Sequence, residues 1–288
     1  MFKIGAHVSA AGGLDKCIAN AEAIGAEAMQ IFGSSPRQWK VNLPKPEEIK
    51  KYRTALEKST INGGVFLHAP YLINLASPDE AIWQNSINCL AGNLQIAELM
   101  GGDGVIFHVG SGKDPNKQPA LERSVEGIKA VLKMAPGKTH LIIENSASIK
   151  KVGSDASEIK YLMSGVDNKR VKFCIDIAHT FEAGLVAEYS PEEIDKLFSQ
   201  LDKEIGLENL MALHVNDSRT AQGSNHDQHD NIGEGQISLA GFKNLAKEKR
   251  LWSMPWLLEV PGFDEMGPDR RNVEILKKLR LKWQISNG

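Results

Sequence analysis

Eight times along this chain, a short run of β-branched or apolar residues gives way to a longer segment with helical periodicity. Strands that alternate with helices form βα units, and their strands pair in parallel. Eight such units in 288 residues match the count and length of a (β/α)8 barrel. The predicted strands are Phe2–Val8, Ala28–Phe32, Val65–Ala69, Val105–Val109, His140–Asn145, Val171–Ile177, Leu210–Val215 and Trp256–Val260.

An open doubly wound sheet would also alternate strands with helices. Folds of that type usually carry a glycine-rich phosphate-binding turn, and neither GxGxxG nor GxxxxGK[ST] follows a predicted strand here. No linker or low-complexity tract divides the chain. We therefore predict an α/β fold in which residues 1–288 form a single (β/α)8 TIM barrel, with the active site at the C-terminal face of the strands.

Several predicted helices carry start signals. Ser77 and Ser190 each precede a proline and have a glutamate three residues later, which predicts serine at the N-cap and proline at the first helical position. Pro46, followed by Glu47 and Glu48, is also predicted to begin a helix. The final predicted helix follows Glu265 and continues through Leu279.

Composition and charge exclude several classes of protein. Hydrophobic residues make up 42% of the chain and charged residues 24%, which is typical of a soluble globular domain. The net charge of −2 disfavours a nucleic-acid binder that works by bulk positive charge, but not one that brings its own cations. Cys17, Cys89 and Cys174 lie far apart and suit a reducing compartment. With no signal-like start or long apolar run, we expect a soluble cytoplasmic protein without a membrane partner.

Polar side chains end six successive predicted strands, at intervals of about one βα unit. In a (β/α)8 barrel all six positions converge on the C-terminal face. Burying so many imidazoles and carboxylates costs free energy unless other groups compensate them, and metal ions are the usual compensation. Ligands of these two types without thiolate suit zinc, manganese or iron(II). The six residues are His68, His108, Glu144, Asp176, His214 and Glu259.

A second cluster is predicted from His179, which follows Asp176 by three residues, and from Asp227 and His229 in the polar segment 216–235. We interpret the nearby His226 and Asp230 as solvated loop residues. The nine candidate ligands comprise five histidines and four carboxylates, a formal charge of −4. One divalent ion needs only about four to six ligands. Two or three ions would use all nine, and clustered metals of this kind are suited to phosphodiester hydrolysis.

At these residues the sequence resembles the endonuclease IV family of apurinic/apyrimidinic-site DNA repair enzymes. The matching segments follow the family's order across nearly the whole chain, and together they are specific. They are Gly5–Ser9, His68–Leu75, His108–Ser111, Glu144–Ala147, Asp176–His179, His214–Ser218, Asp227–His229, Asn231–Gly235 and Leu258–Pro261.

The resemblance implies a trinuclear zinc centre, with manganese or iron as alternatives at some positions. It also implies hydrolysis of the phosphodiester 5′ to an abasic site by a metal-bound hydroxide, leaving a 3′-hydroxyl and a 5′-deoxyribose phosphate. Trimming of blocked 3′ ends is an implied second activity. Glu144, Asp176 and Glu259 are the implied catalytic carboxylates. The implied ligand sets are His68, His108 and Glu144; Asp176, His214 and Glu259, with Glu144 bridging; and His179, Asp227 and His229.

The implied partner is double-stranded DNA with abasic sites or blocked 3′ ends, bound by a monomer. Loops that open the duplex at the lesion would use apolar or arginine wedges. The chain departs from the family at Ser148–Lys151, where the family usually has a glycine-rich stretch, so either the close backbone approach to DNA or the path of this loop is expected to differ. The implied DNA-contacting residues are His7, Arg37, Gln38, Tyr71 and Leu72.

Two other functions are compatible with parts of this pattern. A sugar isomerase or epimerase of the xylose-isomerase-like barrel type would need one metal, for which Glu144, Asp176, His214 and Glu259 suffice. The second cluster argues against it. A non-catalytic DNA-binding module would not need nine ligands and should be more basic.

Overall fold

The computed structural model of the protein describes residues 1–112 and 114–287, with side chains described as far as residue 281. Eight parallel strands form a closed barrel in the order β1-β10-β7-β6-β5-β4-β3-β2. The remaining two described strands, β8 and β9, pair with each other as a short antiparallel ribbon. In chain order the strands are β1 Ile4–His7, β2 Ala28–Phe32, β3 Val65–His68, β4 Gly104–Phe107, β5 His140–Glu144, β6 Val171–Asp176, β7 Leu210–His214, β8 Asp217–Ser218, β9 His229–Asp230 and β10 Trp256–Leu258.

Helices surround the barrel between successive strands. This arrangement confirms the predicted (β/α)8 fold and all eight predicted barrel strands. Within the described residues, no helix is both long and apolar enough to cross a membrane. The helices are α1 Leu14–Ala23, α2 Pro46–Glu57, α3 Glu80–Met100, α4 Gln118–Met134, α5 Ala156–Val166, α6 Ile177–Glu182, α7 Pro191–Ile205, α8 Ser238–Leu245 and α9 Arg270–Asn287.

Most barrel strands end one or two residues earlier than predicted. For example, β3 ends at His68 and β10 ends at Leu258. The residues that follow leave the ladder and begin the loops of the C-terminal face. The polar strand ends therefore lie at the boundary between the rigid barrel and its loops.

One predicted helix start is wrong and another is confirmed. Ser190 caps α7, because its hydroxyl accepts the N–H of Glu193. Ser77 does not cap α3, which begins at Glu80 with Asp79 as its N-cap. The Ser77 hydroxyl instead accepts the N–H of Asp79 in the turn before the helix. Aspartate is a strong N-cap residue, and here it takes over the role.

The core has two layers, as expected for parallel strands that are covered on both faces. Between strands and helices lies a large apolar layer that includes Tyr52, Phe198 and Phe242. The barrel interior holds a smaller cluster around Phe66 and Leu257. Because this interior is packed with apolar side chains, the candidate ligands lie at the mouth of the barrel and not inside it.

Candidate metal centre

All nine predicted ligands lie at the mouth of the barrel. Six project from the ends of strands β3 to β7 and β10, or from the residue directly after the strand. His179 lies one turn into α6, while Asp227 and His229 are carried by the long segment between β7 and α8. The strand register places ligands of neighbouring strands at the same height along the barrel axis, because Asp176 lies directly opposite His214.

The first group consists of His68, His108 and Glu144, whose ligand atoms lie within 4.8 Å of one another. The Nε2 atom of His68 is 3.1 Å from Oε2 of Glu144, and Nε2 of His108 is 3.5 Å from the same oxygen. Glu144 is fully buried, whereas 22% of the His108 side chain is exposed. The group is therefore reachable from the mouth of the barrel on the His108 side.

The second group consists of Glu144, Asp176, His214 and Glu259, also within 4.8 Å of one another. The Nδ1 atom of His214 is 2.9 Å from Oε1 of Glu144, 3.2 Å from Oε2 of Glu259 and 3.8 Å from Oδ2 of Asp176. Glu144 thus contributes one oxygen to each group. This is the arrangement that a bridging carboxylate requires.

The third group consists of His179, Asp227 and His229. The Oδ1 atom of Asp227 is 3.3 Å from Nε2 of His179 and 3.6 Å from Nε2 of His229. His229 also approaches the second group, since its Nε2 atom is 3.5 Å from Oδ2 of Asp176. Asp176 therefore links the second and third groups as Glu144 links the first and second.

Asp176 also explains how His179 reaches the site. Its Oδ1 atom accepts the N–H of His179 and caps α6, while Oδ2 faces the second group. A ligand at the N-cap followed by another at the third helical position places both on one face of the first turn.

The long segment that carries Asp227 and His229 is folded by one buried carboxylate. Asp217 accepts the N–H groups of Gly233, Gly235 and Ile237, at 2.9, 3.1 and 2.9 Å. These bonds partly offset the burial of its charge and fold the second half of the segment back onto the barrel. His229 then lies on β9, paired with β8.

The hydrogen bonds of the imidazoles test whether these residues fit a metal. His68 and His179 each donate from Nδ1 to a backbone carbonyl, at 2.7 and 2.9 Å. In His214 the donor is Nε2, which bonds to Oε1 of Gln30 at 2.9 Å. In a neutral ring the other nitrogen then carries a lone pair, and it faces carboxylate oxygens. A cation between them removes this repulsion, and such hydrogen bonds are typical of metal-ligating histidines.

Two unpartnered atoms support the same fit. Nε2 of His179 and Nε2 of His229 are buried and make no hydrogen bond. Both atoms belong to the third group and point toward Asp227. The donor set of imidazole and carboxylate, without thiolate, is one that zinc accepts.

The charges of the site shift its pKa values in opposite directions. Burial alone would lower the pKa of His214, but Glu259 and Glu144 raise it to about 9. Burial would raise the pKa of Glu144, but His108 and His214 hold it well below its usual range. For His108 burial dominates and lowers the pKa to about 4. The carboxylates thus create a negative field that favours bound cations.

Two buried amides near the ligands were not assigned a role by sequence analysis. Gln30 on β2 donates to Oε1 of Glu259 and accepts from His214. Asn216 donates to Oδ2 of Asp176 at 2.8 Å and accepts the N–H of Glu259 at 2.7 Å. Gln30 could have been noticed in the sequence because it is a polar residue inside the otherwise apolar strand Ala28–Phe32.

Glu182, the last residue of α6, was missed as well. It is fully buried, and its ligand atom lies within 4.8 Å of those of His179 and Asp227. Burial raises the pKa of Glu182 to about 7. An acidic residue three positions after a predicted ligand was the signal that sequence analysis left unused.

Two adjoining cavities open above the site. One, of about 360 Å³, is lined by Tyr71, Pro261 and ligands of all three groups. The other, of about 760 Å³, also includes Tyr71 and extends past His7 and Phe32. Tyr71 is 65% exposed, and its ring centroid lies 5.5 Å from that of His68. The tyrosine therefore stands at the edge of the metal centre.

The other predicted DNA-contacting residues occupy different depths. Arg37 and Gln38 are exposed in the loop after β2, and Leu72 is half-buried. His7 lies lower, because its Nδ1 atom is 3.4 Å from Oε1 of Glu259 and bonds with Gln30. It thus contacts the second group as well as the larger cavity.

The segment Ser148–Lys151 contacts the loop that carries Asp227. The hydroxyl of Ser148 and the N–H of Ile149 both donate to Oδ1 of Asn225, at 3.1 and 2.9 Å. The departure from the family pattern therefore lies beside the third group.

Comparison with known proteins adds a family model and curated relatives. Residues 18–280 match the model of the xylose isomerase-like TIM barrel family. A probable endonuclease 4 of Halothermothrix orenii is 34% identical over 279 residues, which cover 96% of this chain and 100% of that protein. A probable endonuclease 4 of Thermosipho africanus is 34% identical over 291 residues, which cover 98% of this chain and 100% of that protein.

Solved structures also match this chain in fold. The endonuclease IV from Thermus thermophilus matches with a TM-score of 0.85 and 31% identity, covering 97% of this chain and 99% of that one. A D-tagatose 3-epimerase-like protein matches with a TM-score of 0.75 and 17% identity, covering 100% of both chains. The second likeness, at low identity, shows the shared barrel alone.

Proposed function

Because this chain belongs to the endonuclease IV family, we propose that it is a DNA repair endonuclease that hydrolyses the phosphodiester 5′ to an abasic site. The products would be a 3′-hydroxyl and a 5′-deoxyribose phosphate, with trimming of blocked 3′ ends as a second activity. The observation that carries the proposal is the continuity of the three ligand groups: Glu144 belongs to the first and the second, and Asp176 links the second to the third. A monomer acting on double-stranded DNA suffices for this reaction.

The three groups would hold three zinc ions, with manganese or iron as alternatives at some positions. His68, His108 and Glu144 would hold the first ion; Glu144, Asp176, His214 and Glu259 the second; and His179, Asp227 and His229 the third. Bound zinc would supply a water activated for attack and positive charge for the phosphate oxygens.

The chain's own residues would fix the geometry of this centre. Gln30 joins Glu259 to His214, so it holds two ligands of the second group at a constant separation. Asn216 does the same for Asp176 and Glu259. Hydrogen bonds of this kind set the orientation and basicity of metal ligands. The catalytic carboxylates Glu144, Asp176 and Glu259 would thus meet the scissile phosphate already oriented.

The loops around the mouth would bind the damaged duplex. Tyr71 lines the smaller cavity and is a largely exposed residue, which suits stacking against an unpaired base or the lesion. Arg37 and Gln38 are exposed in the neighbouring loop and would reach the DNA backbone or groove. His7 and Leu72 would line the deeper side of the same surface.

A single-metal sugar isomerase or epimerase is the second candidate, and the second group by itself would serve it. The first and third groups favour the nuclease, because one metal needs only about four to six ligands. His68, His108, His179, Asp227 and His229 would have no ligand role in such an enzyme.

Cleavage of a labelled duplex with one abasic site tests the proposal, using zinc-loaded and chelator-stripped protein. We expect a zinc-dependent cut 5′ to the lesion that leaves a 3′-hydroxyl, and no cut in an undamaged duplex. Zinc-loaded protein that leaves the abasic duplex intact but interconverts ketose epimers would overturn the proposal in favour of the sugar enzyme.

A further inference from the structure

We infer that Glu182 is a fourth protein ligand of the third metal site, beside His179, Asp227 and His229. This inference rests on the proposed function, since it takes the third group as a metal site. It adds a residue that the sequence motifs do not assign.

The first observation is position. Glu182 follows His179 by three residues within α6, so both side chains leave the same face of the helix. Their ligand atoms and that of Asp227 lie within 4.8 Å of one another. The helix that supplies one predicted ligand thus supplies a second one beside it.

The second observation is the unequal surroundings of the two carboxylate oxygens. Oε1 accepts the hydroxyl of Ser218 at 2.7 Å and the N–H of Gln228 at 3.2 Å. Oε2 is buried and has no hydrogen-bond partner. Among the described residues, no lysine or arginine forms an ion pair with Glu182. A buried carboxylate oxygen left in this state costs free energy unless a cation or proton meets it.

The third observation is charge. Without Glu182 the third group has one carboxylate that it does not share with the second group, Asp227, whose side chain is 39% exposed. With Glu182 it has two, which balance one divalent ion. Two imidazoles and two carboxylates also make four protein ligands, the number found in closed tetrahedral zinc sites.

The substitution Glu182→Gln distinguishes a role of Glu182 as a metal ligand from a purely structural role. The amide oxygen can still accept from Ser218 and Gln228, but the amide nitrogen cannot bind zinc in place of Oε2. Ser218→Ala is the matched control, because it removes the strongest bond to Oε1 and leaves Oε2 unchanged. Thermal unfolding of each metal-free variant reports whether the barrel is intact.

The readout is the number of zinc ions per protein and their rate of transfer to a chromophoric chelator. We expect three ions in wild type and in Ser218→Ala, and two ions or at least about tenfold faster release of one in Glu182→Gln. Three ions with unchanged release in Glu182→Gln would overturn the inference, and so would equal loss in Ser218→Ala.

A measurement without substitution uses anomalous scattering from zinc-loaded wild-type crystals. An ion about 2.0–2.2 Å from Oε2 of Glu182 supports the inference, and an ion beyond coordination distance overturns it. Wild type that never holds a third ion would overturn this inference together with the three-zinc centre. Loss of one ion in Glu182→Gln by a protein that cuts no abasic DNA would support this inference and refute the proposed function alone.

Discussion

The first two ligand groups and the third are held in different ways. Glu144, Asp176 and His214 are the last residues of barrel strands, and Glu259 directly follows one. In the third group, His179 lies in a helix of six residues, while Asp227 and His229 lie in the segment between β7 and α8, which is folded around Asp217. The hydrogen-bonded strands of the barrel hold the first two groups, whereas local polar contacts hold the third group.

This difference indicates how each set responds to change. A strand-end ligand is fixed by parallel pairing on both sides, so removing it alters the site and leaves the scaffold intact. A loop ligand depends on a few buried hydrogen bonds, and the loss of one of them can move the whole segment. The third group should therefore be the part of the centre that mutations away from the ligands can detach.

Substitution of Glu144 should have the largest effect, because this residue belongs to both strand-borne groups. We expect Glu144→Gln to reduce abasic-site cleavage by about a thousandfold or more and to lower zinc content by one or two ions. The barrel should remain folded, as judged by circular dichroism. Glu27→Gln is the control, since that carboxylate pairs with Arg280 at the opposite end of the barrel. Near-normal turnover in Glu144→Gln would refute the proposal that Glu144 bridges the first and second groups.

Substitution of Asp217 should detach the loop-borne ligands while sparing the others. Asp217→Asn loses the charge that strengthens its bonds to Gly233, Gly235 and Ile237. We expect affinity for one zinc ion to fall about 10- to 100-fold, with the other two ions unchanged. Hydrogen exchange should quicken in the segment around Gly233 and not in β5 or β6. If all three ions weaken equally, the two regions are coupled and the distinction between them fails.

The contrast also explains which features could be predicted from sequence. His68 and Glu144 were predicted because a barrel brings every strand end to one face, whatever lies between them in the chain. The link from Gln30 to Glu259 spans 229 residues, and no local pattern specifies that pair. The predicted N-cap of α3 was wrong because both Ser77 and Asp79 can cap a helix, and the backbone geometry decides which of them does. Asp227 and His229 were predicted from their place in the polar segment 216–235, but a loop has no periodicity that fixes a ligand, so their assignment to one zinc came from the family resemblance.

Substitution of Gln30 tests whether the strand-borne ligands also need polar support. Gln30→Leu leaves Oε1 of Glu259 and Nε2 of His214 without their amide partner. We expect roughly tenfold weaker zinc binding at the second group, measured by chelator competition, and slower cleavage in proportion. Gln95→Leu is the control, because that amide bonds to a backbone carbonyl between outer helices. Unchanged affinity would mean that the ladder alone orients these ligands.

Substitution of Tyr71 should have the smallest effect on the metals and a selective effect on DNA. Its exposed ring stands beside His68 at the mouth but belongs to a loop, so it can change DNA binding without changing a ligand. We expect Tyr71→Ala to weaken binding of an abasic duplex by about tenfold, in a fluorescence anisotropy titration at fixed salt. Binding of an undamaged duplex and zinc content should stay the same. Tyr161→Ala removes a partly exposed tyrosine from α5, which bonds to Gln118 of α4, and should change neither property. If Tyr71→Ala instead lowers zinc content, the ring stabilises His68 rather than the damaged DNA. A loop residue would then support a strand-borne ligand, and the distinction between the two regions would be weaker.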